Sequence, residues 1–121
     1  ENRGGREPWP EQPAYMRLPL DAWVTDDAVI IEASIPGVKP EDVNITIEGE
    51  TVHIEAELPK PEHGGSHLLS ERRFGKVGRD LVLNIPVETD KAEAVFNNGV
   101  LTLTIPKQEA LRPRTIKVKA R

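Results

Sequence analysis

The chain contains no cysteine, so neither a disulfide framework nor a thiol nucleophile is open to it. Aromatic residues are scarce as well, at 4% of 121 positions, which leaves Val, Ile and Leu to build the core. Such a core suits β-strands better than a ring-lined ligand pocket. No stretch reads G-x-x-x-x-G-K-[S/T], so the phosphate loop that would mark a nucleotide-driven foldase is missing. No apolar run approaches the roughly 20 residues that span a bilayer, and no signal-peptide pattern is present. The expectation is a cytoplasmic protein with no membrane role. A basic surplus is lacking too: net charge is -4 with Lys and Arg scattered, whereas nucleic-acid modules are usually basic, so no nucleic-acid partner is expected.

What is present is punctuated alternation. Residues 94–107 read AVFNNGVLTLTIPK, and Asn98-Gly99 between two apolar-patterned runs predicts a tight type I′ hairpin, because both residues tolerate positive φ. After that turn Leu101, Leu103 and Ile105 alternate with Thr102 and Thr104, the period of a strand with one buried face, until Pro106 withholds an N–H. A slip of one residue would expose all three apolar side chains.

Upstream, Ala22 to Thr25 predicts a short strand and Asp26-Asp27 a turn, and Val29, Ile31, Ala33 and Ile35 then share one face. Pro36-Gly37 fits positions i+1 and i+2 of a type II turn. Val43, Ile45 and Ile47 predict the next strand, and Gly49-Glu50 turns it into Val52, Ile54, Ala56 and Leu58. A Pro- and Gly-rich break over residues 59–66 is longer than an ordinary hairpin loop and leads into His67, Leu68, Leu69, Ser70, Glu71, Arg72 and Arg73, a strand candidate too polar for the middle of a sheet. Residues 79–85 read as a strand ended by Pro86, and Thr89-Asp90 as the start of one helical turn. About eight short strands with no long helix predict an all-β antiparallel sandwich, at a length that suits one domain. Residues 1–20 read as a flexible arm, in which Trp9 is either a partner contact or, more commonly for such aromatics, inert. Residues 21–107 read as the domain and residues 108–121 as a charged extension.

Candidate chemistry is thin. His63 and His67 lie four apart on a glycine-rich loop, where that spacing does not converge two imidazoles as it would on a helix, so no metal site is expected. His53 alternates outward between Val52 and Ile54 and reads as a solvated strand residue. Ser66, His67 and Glu71 lack the nucleophile elbow or oxyanion-hole turn a hydrolase needs, and Glu41-Asp42 and Asp26-Asp27 sit where acids serve turns. No enzyme and no cofactor is expected. The remaining equipment is sheet edges, exposed apolar side chains such as Ile30, and flexible ends, which suits weak and promiscuous protein binding.

Several segments together resemble the small heat shock proteins (Hsp20, α-crystallin domain family) of bacterial or archaeal type. Trp23 with Thr25-Asp26, the run ASIPG at residues 33–37, Glu41-Asp42-Val43 with Ile45, and Glu71-Arg72, Phe74-Gly75 and Arg79 occur in the family's order. Ala94 with Asn98-Gly99-Val100-Leu101 resembles its A-x-x-x-n-G-V-L signature, and Ile116-Lys117-Val118 its tail anchor. The interval from Arg79 to Pro86 is about two residues longer than the family's usual spacing.

The resemblance implies an immunoglobulin-like sandwich and ATP-independent holding of unfolding client proteins under stress. It also implies a homodimer, made by strand exchange through the long loop, that can assemble further. His67 to Arg73, Arg79 and Trp23 would then form the dimer interface, with Arg79 pairing carboxylates. Ile116 and Val118 would dock into a neighbour's groove lined by Val43, Ile45, Ile47, Ala92, Ala94 and Phe96. A p23-like co-chaperone shares the sandwich, and a single-partner β-sandwich module is the alternative from another class.

Overall fold

The alternating runs become eight strands: β1 Met16–Arg17, β2 Asp21–Val24, β3 Ala28–Ser34, β4 Val43–Glu48, β5 Thr51–Leu58, β6 Gly75–Val82, β7 Glu93–Asn97 and β8 Val100–Pro106. The computed structural model describes residues 16–120; the greater part of the expected arm, Trp9 included, lies outside them. Two four-stranded sheets, ordered β1-β6-β5-β4 and β2-β3-β8-β7, enclose one apolar cluster. That is the sandwich the pattern of strands and turns predicts, in the immunoglobulin-like form the family resemblance implies. Val29, Ile31 and Ala33 from β3, Leu101, Leu103 and Ile105 from β8, Val52, Ile54 and Ala56 from β5, and Val77 from β6 are all buried. Each fully buried branched side chain contributes roughly 1.5–3 kcal/mol gross, so this double row is what outweighs the entropy of ordering so small a domain.

Two turns set the register. Asn98 (φ 52°) and Gly99 (φ 81°) occupy the left-handed region that a type I′ turn requires, and they join β7 to β8 at the Asn97–Val100 pair. Gly99 has a second reason to lack a side chain: a Cβ there would lie 3.3 Å from Pro36 Cα, while its carbonyl accepts the Ile35 N–H at 2.8 Å. The signature hairpin is thereby pinned to the turn after β3. There Gly37 has φ 84° and the Val38 N–H reaches the Ile35 carbonyl at 3.3 Å, the expected type II geometry.

Other local expectations need correction. Met16–Arg17 does not belong to a free arm: it pairs in parallel with β6, and Leu18 is buried in the core. Met16, Leu18 and Leu20 do alternate, but over only five residues interrupted by Pro19, which hides the strand period among the prolines. His67 to Arg73 forms no strand; residues 59–73 are exposed and outside both sheets, since within one chain no edge meets their backbone. The strand expected over residues 79–85 instead runs Gly75–Val82 and stops short of Asn84, which takes φ 59°, so the extra length before Pro86 is spent in a left-handed kink. Thr25, not the acids beside it, organises the β2–β3 turn, its Oγ1 accepting the N–H groups of Asp27 (3.2 Å) and Ala28 (3.0 Å). Ile30 is half-buried rather than exposed, standing opposite Trp23 and Thr104 across its two ladders.

Candidate interaction surface

Strands β4 and β7 each close one sheet, at the end of the order away from β1 and β2. On β4 the residues Val43, Ile45 and Ile47 face inward, opposite Ala56, Ile54 and Val52. On β7 Ala94 and Phe96 share the face of Leu103 and Leu101. An edge strand has a neighbour on one side only, so these inward side chains are incompletely covered: Val43, Ile45, Ile47, Ala92 and Phe96 are half-buried and Ala94 is exposed. Both edges thus leave apolar side chains only partly covered on the faces turned toward the common core.

The extension carries exposed apolar side chains too. Ile116 and Val118 are 84% and 92% exposed and lie two apart outside any strand or helix, with little among the described residues covering them. Their alternation places both on one side of the tail.

The long loop supplies a second exposed set. Leu68 and Leu69 are fully or largely exposed, Arg72 stacks over the Phe74 ring at 5.6 Å, and Arg73 Nη1 donates to the Arg17 carbonyl at 2.7 Å. Leu58 and Gly75 pair in the β5–β6 ladder, so the loop leaves the sheet and returns to the same point. His67, Ser70 and Glu71 are exposed on it. At the other end of its sheet from β7, β2 is exposed at all four residues, with Trp23 48% and Val24 59% accessible. Arg79 shares the inward face of Ile54, is half-buried, and donates to the Leu18 carbonyl at 3.3 Å. Among the described residues it forms no ion pair.

Two arrangements escape sequence reasoning. His53 is not simply solvated: Nδ1 meets the Asp80 carboxylate directly across the β5–β6 ladder and Nε2 meets Glu55 at 3.2 Å, so both ring nitrogens face acids. The bond to Asp80 chiefly, helped by that to Glu55 and opposed by partial burial, raises the imidazole's pKa above its ordinary value. Asp80 is 27 residues away, and only the ladder register brings it there. The other is Arg112, which reaches Glu88 and the Lys107 carbonyl. Among the described residues, no group of His, Cys, Asp and Glu converges as a metal site, and no helix is long and apolar enough to cross a membrane.

Comparison with known proteins agrees with this geometry. The Hsp20/alpha crystallin family model matches residues 21–119. The "18 kDa antigen 1" of Mycobacterium avium is 40% identical over 111 residues, covering 92% of this chain and 74% of that protein. Heat shock protein 16.0 from Schizosaccharomyces pombe superposes with a TM-score of 0.72 at 32% identity, over 88% of this chain and 98% of that one. A small heat-shock protein from Xylella fastidiosa, described as having a distinct high order structure, gives 0.68 at 27% identity, over 85% of this chain and 96% of that one. The chain belongs to the Hsp20/α-crystallin family of small heat shock proteins, a class of non-enzymatic chaperones.

Proposed function

We propose that this protein is a nucleotide-independent holdase of the cytosol. In this reading it binds unfolding clients through apolar surface that its own assembly otherwise covers. The observation that carries the proposal is the pairing of half-covered apolar side chains on the β4 and β7 edges, read as one groove, with an Ile116/Val118 pair that is exposed on its own subunit. Burying two branched side chains is worth roughly 3–6 kcal/mol gross, of which tail ordering and lost rigid-body freedom consume much. One tail in one neighbour's groove is then weak, on the order of millimolar, and several together hold an assembly. Weak individual links open readily and offer the same groove to a client.

The basal unit in this reading is a homodimer formed by exchange of the 59–73 loop. Its backbone groups lack a sheet partner within the chain, and the exposed β2 edge, with Trp23 and Val24, offers one in a second copy. Arg79 would lie at that interface, its guanidinium available to a partner carboxylate. Light scattering by several unrelated heated clients tests the function: the protein should suppress it for most of them, equally with and without ATP. Protection of a single client only, or dependence on ATP, refutes it.

A further inference from the structure

The tail does not begin where β8 ends. After Pro106 the chain stays against the sandwich: Val87 bridges to Lys107, the Glu88 N–H donates to the Pro106 carbonyl at 2.8 Å, and the Gln108 N–H to that of Pro86 at 3.1 Å. A 3₁₀ turn at Glu109–Leu111 then folds the chain back, closed by the Leu111 N–H on Gln108 and the Arg112 N–H on Glu109. Arg112 locks this loop. Its Nε donates to the Lys107 carbonyl at 2.9 Å and its Nη2 to Glu88 Oε2 at 2.7 Å, while Glu88 Oε1 takes Lys91 at 3.2 Å. The Arg112 and Glu88 side chains are only 27% and 20% exposed, so this pair is shielded more than an ordinary surface pair. Pro113 follows at once and holds Arg112 extended, at φ -87° and ψ 149°.

We infer that Arg112 is the positioning residue of the tail: its bonds to Glu88 and Lys107 set where the Ile116/Val118 anchor starts and how far it reaches. The inference rests on the docking reading above. With the joint closed, Ile116 lies four residues from a fixed point, a reach of at most about 14 Å. Residues 108–112 become slack when the joint opens, adding up to about 17 Å and releasing the direction of departure. Glu88 and Lys91 stand just before Ala92, the proposed groove residue that immediately precedes β7, so the root is fastened beside one end of the subunit's own groove. A short, directed tail then selects among neighbouring grooves. A long, undirected one reaches several, its own included, and assemblies of uniform size give way to mixed ones.

The test is a charge swap in the full chain, read by native mass. Glu88→Arg and Arg112→Glu alone should each lose the parental mass peak and spread the population over smaller and mixed assemblies, and the double exchange should recover it in part, since the ion pair returns while the donor to the Lys107 carbonyl and the Glu88–Lys91 pair do not. In the single variants, ¹⁵N relaxation should show residues 108–112 becoming as mobile as residues 114–120, whereas in the parent they move with β8. Single variants that keep the parental mass and a rigid 108–112 segment overturn the inference, and so does a double exchange that recovers nothing. Ile116→Ala with Val118→Ala is the control: if that variant also keeps the parental mass, the docking reading has failed and this inference with it. If it shifts the mass while the Arg112 variants do not, only the joint is refuted. Should a charge reversal lower the thermal midpoint of the sandwich, Arg112→Lys, which keeps the charge but loses Nε and the fork, decides by the same two readouts.

Discussion

Two of the connections between antiparallel neighbours in this sandwich could hardly differ more. Between β7 and β8 the chain turns in two residues, whose φ angles, carbonyl and packing against Pro36 are all accounted for within the subunit. Between β5 and β6 it departs at Leu58, runs exposed through residues 59–73, and returns to pair at Gly75. The first connection has its partners inside the chain, so it serves stability. The second leaves Leu68 and Leu69 exposed and pairs with no strand among the described residues, which is the opening the proposed exchange uses. In that reading stability and assembly fall to different hairpins, and each can be altered without the other.

The largest expected effect is on assembly. Because the β5–β6 ladder is complete to Leu58 and Gly75, replacing residues 64–73 by a tight turn should abolish the dimer yet leave a folded monomer, checked by light scattering and circular dichroism. A persisting dimer would place the interface elsewhere. Next, Gly99→Val puts a β-branched residue at φ 81° and its Cβ against Pro36, and should cost about 3 kcal/mol or more in urea unfolding. Gly64, although at φ 73°, has no neighbour within reach of a Cβ and lies on a loop free to adjust. Gly64→Val should therefore cost under about 1 kcal/mol. Equal costs would mean that the loop is as constrained as the hairpin, contrary to the contrast drawn between them.

Ile116→Ala with Val118→Ala should shift native mass toward the dimer while the thermal midpoint stays put, because neither side chain packs on its own sandwich. A lowered midpoint would show that the anchor belongs to the subunit's own core.

The smallest effect concerns His53. Its folded pKa lies above the unfolded value of about 6.5, so its contribution is complete below that pH and fades as pH rises through the folded pKa. Since the Asp80 side chain is 65% exposed and screened by solvent, the change should be about 0.5 kcal/mol or less. His53→Gln should flatten the dependence of urea-unfolding stability on pH between about 6 and 8. A slope that persists in the variant would assign the titration to another group.

Much of the fold was legible because side-chain period and turn chemistry are local. Asn98-Gly99, Pro36-Gly37 and the alternating runs each state their conformation within a few residues, and the type I′ and type II turns occur as those residues predict. The candidate surface was legible only through family resemblance. Ile116 and Val118 are spaced to face together, but no local rule says that β4 and β7 would leave apolar side chains half-covered, since that depends on which strands end each sheet. His67 to Arg73 carried a strand pattern whose pairing needs an edge the chain does not offer it.

Composition and period by themselves determined the all-β class, the turn types and which faces of the strands are apolar, for these follow from sterics and hydrophobicity over a few residues. Tertiary structure alone decided that Leu18 joins the core, that Asp80 comes to stand against His53, and that Glu88 holds Arg112 at the root of the tail. Each of these depends on pairing between residues far apart in the chain, and that register exists only once the sheets have closed on their common core.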